Sequence, residues 1–138
     1  MRITTKGRYA LRAVSQLAAN YTDKPISIRE LAEMEELSPE FLEQIFYKLR
    51  KAGLINSTRG PGGGFSLNRP PEDISLTEIF EAVGEGLDLA PCTISDAEPC
   101  DHKNCITHHI WVEASNHFRE YFRNISVKDI VDANPVAV

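Results

Sequence analysis

The sequence predicts a mainly α fold with a small β wing, a winged helix-turn-helix followed by a long C-terminal dimerisation helix. Three observations carry that prediction. Two short capped helices meet across a tight turn between residues 27 and 53, a glycine run at 60–64 sits between two short strand patterns, and an apolar seam steps from Trp111 to Ile125.

The first helix is expected from about Thr5 to Tyr21, because Tyr9, Ala13, Val14, Leu17, Ala18 and Tyr21 recur at three- and four-residue spacing. Asp23 to Pro25 break it. Ser27 and Glu30 then form a capping box, opening a helix that buries Ile28, Leu31 and Ala32. A turn near Glu36 and Leu37 leads to Ser38 as N-cap and Pro39 at the first helical position. Phe41, Leu42, Ile45, Phe46 and Leu49 follow on one face until Gly53 ends the helix. Leu54–Arg59 and Phe65–Asn68 read as strands around Gly60-Pro61-Gly62-Gly63-Gly64, a wing whose glycines allow positive φ and close backbone approach. The glycine spacing fits neither a dinucleotide fingerprint nor a phosphate loop, since Phe65 stands where the third glycine would fall and no Gly-Lys-Ser/Thr follows.

Pro70-Pro71 marks an expected boundary between a winged helix-turn-helix DNA-binding region at 1–69 and a second region at 70–138, expected to carry the dimerisation helix and a loop whose cysteines, taken up below, make it a candidate cluster-binding loop. Ser75 and Glu78 make another capping box, opening a helix with Ile79, Phe80 and Val83 inside, closed by Gly84 and Gly86. Ala90 to Asn104 shows no period. From Cys105 a long helix is expected, with Trp111, Ala114, Phe118, Tyr121 and Ile125 as the seam that packs against a second copy. Ser126 and Asp129 cap a short last helix.

The formal net charge is −5, which taken alone argues against a polyanionic partner. Its distribution argues the opposite. Residues 1–69 hold 11 Lys and Arg against 7 Asp and Glu, a net +4, while residues 70–138 hold 4 against 13, a net −9. A basic half can lie on double-stranded DNA while the acidic half faces away. No run approaches the about eighteen apolar residues of a membrane span, and Met1 to Thr5 lacks a signal peptide's apolar stretch, so a cytoplasmic location with no membrane partner is expected. No nucleophile-base spacing or paired carboxylates point to an enzyme.

With the apolar face of the third helix turned inward, Ser38, Glu40, Glu43, Gln44, Tyr47, Lys48 and Lys51 are left outward, and the residues near its N-terminus are those that reach base edges in such folds. Gln44 can pair bidentately with adenine. Glu43 can accept from cytosine N4, and it repels phosphates and goes unpaired where no cytosine faces it, which penalises wrong sites. Arg50 and Lys51 suit phosphates, Arg59 suits a narrow minor groove, and Gly60, Gly62 and Gly63 bring the wing backbone close to the duplex. A dimer would read an operator of two half-sites through a two-fold axis.

Three cysteines, Cys92, Cys100 and Cys105, cluster in the aperiodic stretch, with His108 one turn beyond the last. An odd number in a cytoplasmic chain argues against a disulfide framework. Soft thiolates with one imidazole suit zinc or an iron-sulfur cluster, and softness does not choose between them. Seven and four residues separate the cysteines, wider than the tight knuckle of structural zinc, which suits a loop wrapped over a larger inorganic core. His102 and His109 compete as the fourth ligand.

Met1-Arg-Ile-Thr-Thr-Lys-Gly-Arg-Tyr-Ala, Leu42-Glu-Gln-Ile-Phe, Lys48-Leu-Arg-Lys-Ala-Gly-Leu, Arg59-Gly-Pro-Gly-Gly-Gly-Phe and Cys105-Ile-Thr-His-His-Ile-Trp together resemble the Rrf-two family of bacterial regulators, particularly its IscR branch. The resemblance implies a homodimeric winged-helix transcriptional regulator that senses iron-sulfur or redox status through a cluster held by Cys92, Cys100, Cys105 and His108. A 2Fe-2S cluster is favoured over 4Fe-4S. The cysteine spacing differs from the five and five residues usual in that branch. Relatives that sense nitric oxide or redox state carry a carboxylate near position 8, where this chain has Arg8, and this favours the IscR-like reading. The alternatives are a zinc-stabilised winged-helix protein and a nitric-oxide-responsive 4Fe-4S regulator of the same family.

Overall fold

The structure is a computed structural model that describes residues 2–21, 24–93 and 105–133. The expected break at Asp23 and the loop positions Cys100 and His102 lie outside the described residues.

Helix α1, Thr5–Ala19, turns Ala10, Ala13, Val14 and Leu17 inward, as its period requires. Thr4 precedes it without a side-chain cap bond of its own. The cap comes from the other half of the chain: the carboxylate of Glu85, a residue only 6% exposed, accepts from the Thr4 N–H at 3.0 Å, the Gly7 N–H at 3.2 Å and the Thr4 hydroxyl. Unpaired N–H groups and the helix dipole favour an anion at this end. Gly7 leaves room for this carboxylate, since a Cβ on it would fall 2.7 Å from Glu85 Oε2 and push the capping group aside. Glu85→Ala should therefore lower stability by about 2 kcal/mol, the scale of a lost charged cap. Thermal unfolding would show this as a melting point lower by several degrees; an unchanged midpoint would remove Glu85 from that role.

Helix α2, Ile28–Glu35, opens with both halves of the Ser27–Glu30 capping box in place. The turn after it contains Glu36 at φ 55, left-handed backbone on a residue with a side chain. Helix α3, Pro39–Lys51, begins with Pro39 at its first position and the Ser38 hydroxyl accepting from the Phe41 N–H at 3.4 Å; Leu42, Ile45, Phe46 and Leu49 are its buried stripe.

Strands β1, Ile55–Thr58, and β2, Gly64–Leu67, pair antiparallel with Ile55 opposite Leu67 and Thr58 opposite Gly64. Gly60 to Gly63 make a tight turn between them: the Gly63 N–H donates to the Gly60 carbonyl at 2.9 Å, and Gly62 supplies φ 76, the arrangement of a type II turn after Pro61. Ile26 adds a one-residue third strand, exchanging bonds with Phe65 at 2.9 and 2.8 Å. A Cβ on Gly64 would lie 2.5 Å from the Ile26 carbonyl oxygen, so the close approach needs glycine. Phe65 also meets Phe46 edge-on at 4.8 Å, which seats the wing on α3.

Beyond a 3-10 turn at Pro71–Asp73, helix α4, Leu76–Ala82, carries the Ser75–Glu78 capping box. A second 3-10 turn, Pro91–Thr93, lies in the stretch that showed no period. Helix α5 runs His108–Arg123 and helix α6 Val127–Ala133, the latter entered through reciprocal Ser126–Asp129 bonds of 2.9 and 3.1 Å. Since α5 ends at Arg123, Ile125 leaves the expected seam and is half-buried against the cluster of Leu76, Phe80 and Leu87. The main core joins Val14, Leu42 and Leu49 to Ile74, Ile79, Val83 and Val127.

Candidate nucleic-acid interface and metal centre

Capping and amphipathicity together fix which side of α3 looks outward. Ser38, Glu40, Glu43 and Gln44 are all exposed along its first two turns, followed by Tyr47, Lys48 and Lys51. The Ser38 hydroxyl, besides its capping bond, donates to Glu40 Oε2 at 2.8 Å. The hydrogen bond to its own backbone N–H and that from Ser38 hold the Glu40 carboxyl below the usual carboxylate range, so it is an anion at neutral pH. Lys48, Arg50 and Lys51 put three cations in the last turn.

Arg50 reaches from α3 to the wing, its Nη1 3.5 Å from Ser57 Oγ on β1. Arg59, Gly60 and Gly62 are exposed at the wing tip. Gly63 is half-buried, and a Cβ there would lie 2.2 Å from the Thr58 carbonyl oxygen, so the turn admits no side chain. Helix face and wing tip thus stand on one rigid unit, joined through Phe46, Phe65 and Arg50.

Cys92 sits inside the Pro91–Thr93 turn, and that turn is fastened to α5. Thr93 Oγ1 lies within hydrogen-bonding reach of Asp88 Oδ1 at 3.0 Å and the Ala90 carbonyl at 2.8 Å, and Asp88 is ion-paired with Arg119. The Leu89 N–H donates to Ser115 Oγ at 3.0 Å, and Ser115 is fully buried. Cys105 lies three residues before α5, its Sγ 3.2 Å from Thr107 Oγ1. Both thiols are half-buried.

His108 opens α5 with its Nδ1 buried and, among the described residues, without a hydrogen-bond partner. Buried ring nitrogens seldom go unpaired, and a neutral imidazole nitrogen is a ready metal ligand. His109, by contrast, is exposed. Among the described residues no three His, Cys, Asp or Glu side chains yet converge as a metal site, and Cys100 is outside them. Cys105 and the orphaned His108 imidazole at the start of α5, with the Cys92 thiol on a turn tied to the same helix at Ser115 and Arg119, are donors of the kind a soft-metal or iron-sulfur group takes.

Glu85, which caps α1, and Asp88, Ser115 and Arg119, which pin the Cys92 turn, have no local pattern in the sequence to mark them. Each acts across a long sequence separation. A last feature is the outer face of α5, where Trp111 is 42% exposed, Phe118 39% and Tyr121 64%, with Ile110 beside them. No helix among the described residues is long and apolar enough to cross a membrane.

Comparison with known proteins follows the same lines. The Rrf2 family, described as iron-dependent transcriptional regulators, matches residues 3–133. A putative HTH-type transcriptional regulator, ORF2, of Azotobacter vinelandii is 38% identical over 136 residues, 99% of this chain and 82% of that protein. The solved structure of T. potens IscR superposes with a TM-score of 0.79 at 30% identity, covering 96% of this chain and 87% of that one. That of CymR, the global cysteine regulator of B. subtilis, gives 0.81 at 28% identity, covering 96% and 97%.

Proposed function

The chain belongs to the Rrf2 family of transcriptional regulators, DNA-binding proteins and not enzymes, and from that membership we propose that it binds an operator as a homodimer and senses iron-sulfur or redox status through a cluster. Residues 1–69 would read the duplex and 70–138 would carry the cluster loop and the dimer helix. The observation that carries the sensing half of this reading is the buried, unpartnered Nδ1 of His108, one turn beyond Cys105 and on the helix to which the Cys92 turn is fastened. Cys92, Cys100, Cys105 and His108 would hold the group. When bound, a 2Fe-2S cluster with one imidazole in place of a thiolate supplies a redox centre of less negative total charge and higher potential than an all-thiolate one. The chain's own part is to tether: the Asp88–Arg119 and Leu89–Ser115 contacts fix the Cys92 turn against α5, so ordering of the ligand loop bears on the helix that spaces the two reading heads. Such coupling shifts binding only if DNA discriminates between the two states.

The visible absorption spectrum of anaerobically purified protein tests the reading directly. A coloured protein whose iron-57 Mössbauer spectrum shows paired ferric sites supports 2Fe-2S, while a delocalised cubane signature moves the assignment to 4Fe-4S and the nitric-oxide-responsive alternative. A colourless zinc protein that still binds DNA overturns the sensing role and leaves the zinc-stabilised reading.

On the DNA side, Ser38, Glu40, Glu43 and Gln44 would face base edges in the major groove, Arg50 a phosphate, and Arg59 with Gly60, Gly62 and Gly63 the minor groove. Gln44→Ala should cost about 1 to 3 kcal/mol on the preferred site and less on random duplex. Arg59→Ala should weaken binding and relax sequence preference at the minor-groove position. Quantitative mobility shifts on both duplexes decide this; equal losses on the two for Gln44→Ala would end its base-reading role.

A further inference from the structure

The turn between α2 and α3 is held from outside by one face of α1. Glu35, the last residue of α2, is the point of attachment: its Oε2 accepts from Arg12 Nε at 2.8 Å, its backbone carbonyl accepts from Arg12 Nη2 at 2.6 Å, and its Oε1 accepts from Gln16 Nε2 at 2.7 Å. The Glu35 side chain is 12% exposed although Arg12 remains open to solvent. The Arg12 guanidinium also lies 5.3 Å over the Tyr9 ring, and Tyr9 meets Phe41 edge-on at 5.6 Å and 88°. Tyr9, Arg12 and Gln16 follow one another at helical spacing, so a single face of α1 grips both sides of the turn, the end of α2 and the first turn of α3.

An isolated surface ion pair contributes little to stability, and its formation here needs a different explanation from simple cohesion. The planar guanidinium uses two separate nitrogens on a side chain and on a helix-terminal carbonyl, a two-point geometry that a lysine lacks. It stands directly before Glu36, whose left-handed backbone sets the direction in which α3 leaves the turn. Bidentate reading of a base tolerates only a small displacement of the reading side chain. We infer that Arg12 and Glu35 are positioning residues for sequence recognition: without touching DNA they fix the angle at which α3 presents Glu43 and Gln44. The inference rests on α3 being the reading helix.

The test uses full-length protein and two duplexes, one selected by the parent protein from a randomised pool and one of random sequence. Arg12→Ala should lower the ratio of selected to random affinity about tenfold, the size of one lost base contact, with random-duplex affinity and the slope of log affinity against log salt unchanged. Arg12→Lys should show most of that loss despite keeping the charge. Glu35→Gln should behave alike, and combining it with Arg12→Ala should add little, because both remove one interaction. A shallower salt slope with equal losses on both duplexes would make Arg12 a phosphate contact instead. An unchanged ratio in folded Arg12→Ala and Arg12→Lys, whatever their melting points, would make the clamp purely structural. Gln44→Ala, run alongside, separates the two readings: a loss for Gln44→Ala alone overturns the clamp, whereas no loss for either overturns the reading of α3 and the clamp with it.

Discussion

A Phe118→Glu variant is expected to sediment as a folded monomer and to lose binding to a two-half-site operator by more than about a hundredfold, the usual gain from joining two reading heads. Phe118 lies at the middle of an exposed apolar face that also holds Ile110, Trp111 and Tyr121, and its ring stacks on Phe122 at 6.4 Å. Exposed aromatic patches of this kind mark interfaces, and a carboxylate placed in one is stripped of water without a partner. Phe118 is 39% exposed within a single chain and belongs to neither buried cluster, so within the monomer the substitution removes chiefly its stacking on Phe122. Circular dichroism should therefore match the parent. Retained dimers in sedimentation would assign the face to some other use and leave dimerisation to a different surface.

Replacing any one of Cys92, Cys100 or Cys105 by alanine should abolish the visible absorption of the anaerobic protein, since each would supply a thiolate that nothing else nearby replaces. His108→Ala should alter the spectrum or shorten the cluster's lifetime, a milder result, because water or a neighbouring imidazole can complete the iron's coordination. His109→Ala should do neither. The physical difference between the two histidines is burial: Nδ1 of His108 is enclosed and unpartnered among the described residues, while His109 is exposed. If His108→Ala left spectrum and lifetime untouched while His102→Ala or His109→Ala did not, the fourth ligand would have to be reassigned. Cysteine variants that bound every operator like the parent would deny the cluster a regulatory role.

Local chemistry explains what was legible in the sequence. Ser27 with Glu30, Ser75 with Glu78, and Ser38 with Pro39 each announce a helix start within four residues, and the structure forms all three. The wing was legible for a similar reason, since a turn that needs positive φ at Gly62 and no side chain at Gly63 leaves a glycine run behind. Features made by distant partners left no such trace. Glu85 caps a helix that begins eighty or so positions earlier, the Cys92 turn is pinned by Arg119 and Ser115, and Ile26 joins the wing as a single residue with no period to reveal it. At the far end of α5 the three- and four-residue rhythm continued through Ile125, but the helix stops at Arg123, and the isoleucine turns back into the cluster around Phe80. Placement of Ser38, Glu40, Glu43, Gln44 and Arg50 on an exposed surface follows from the capping and amphipathic pattern of α3, which is a local property.

The main core, closed by Ile74, Ile79, Val83 and Val127 against Val14, Leu42 and Leu49, bears on how this architecture can be re-engineered. A chimera that grafts the DNA-reading half onto a foreign sensor by cutting after the wing would strip four aliphatic side chains from a dry interior and open cavities that the remaining residues cannot fill. A workable splice keeps α4 and α6 with the DNA-reading half, because the side chains of Ile74, Ile79, Val83 and Val127 complete its interior, and cuts no earlier than Leu87.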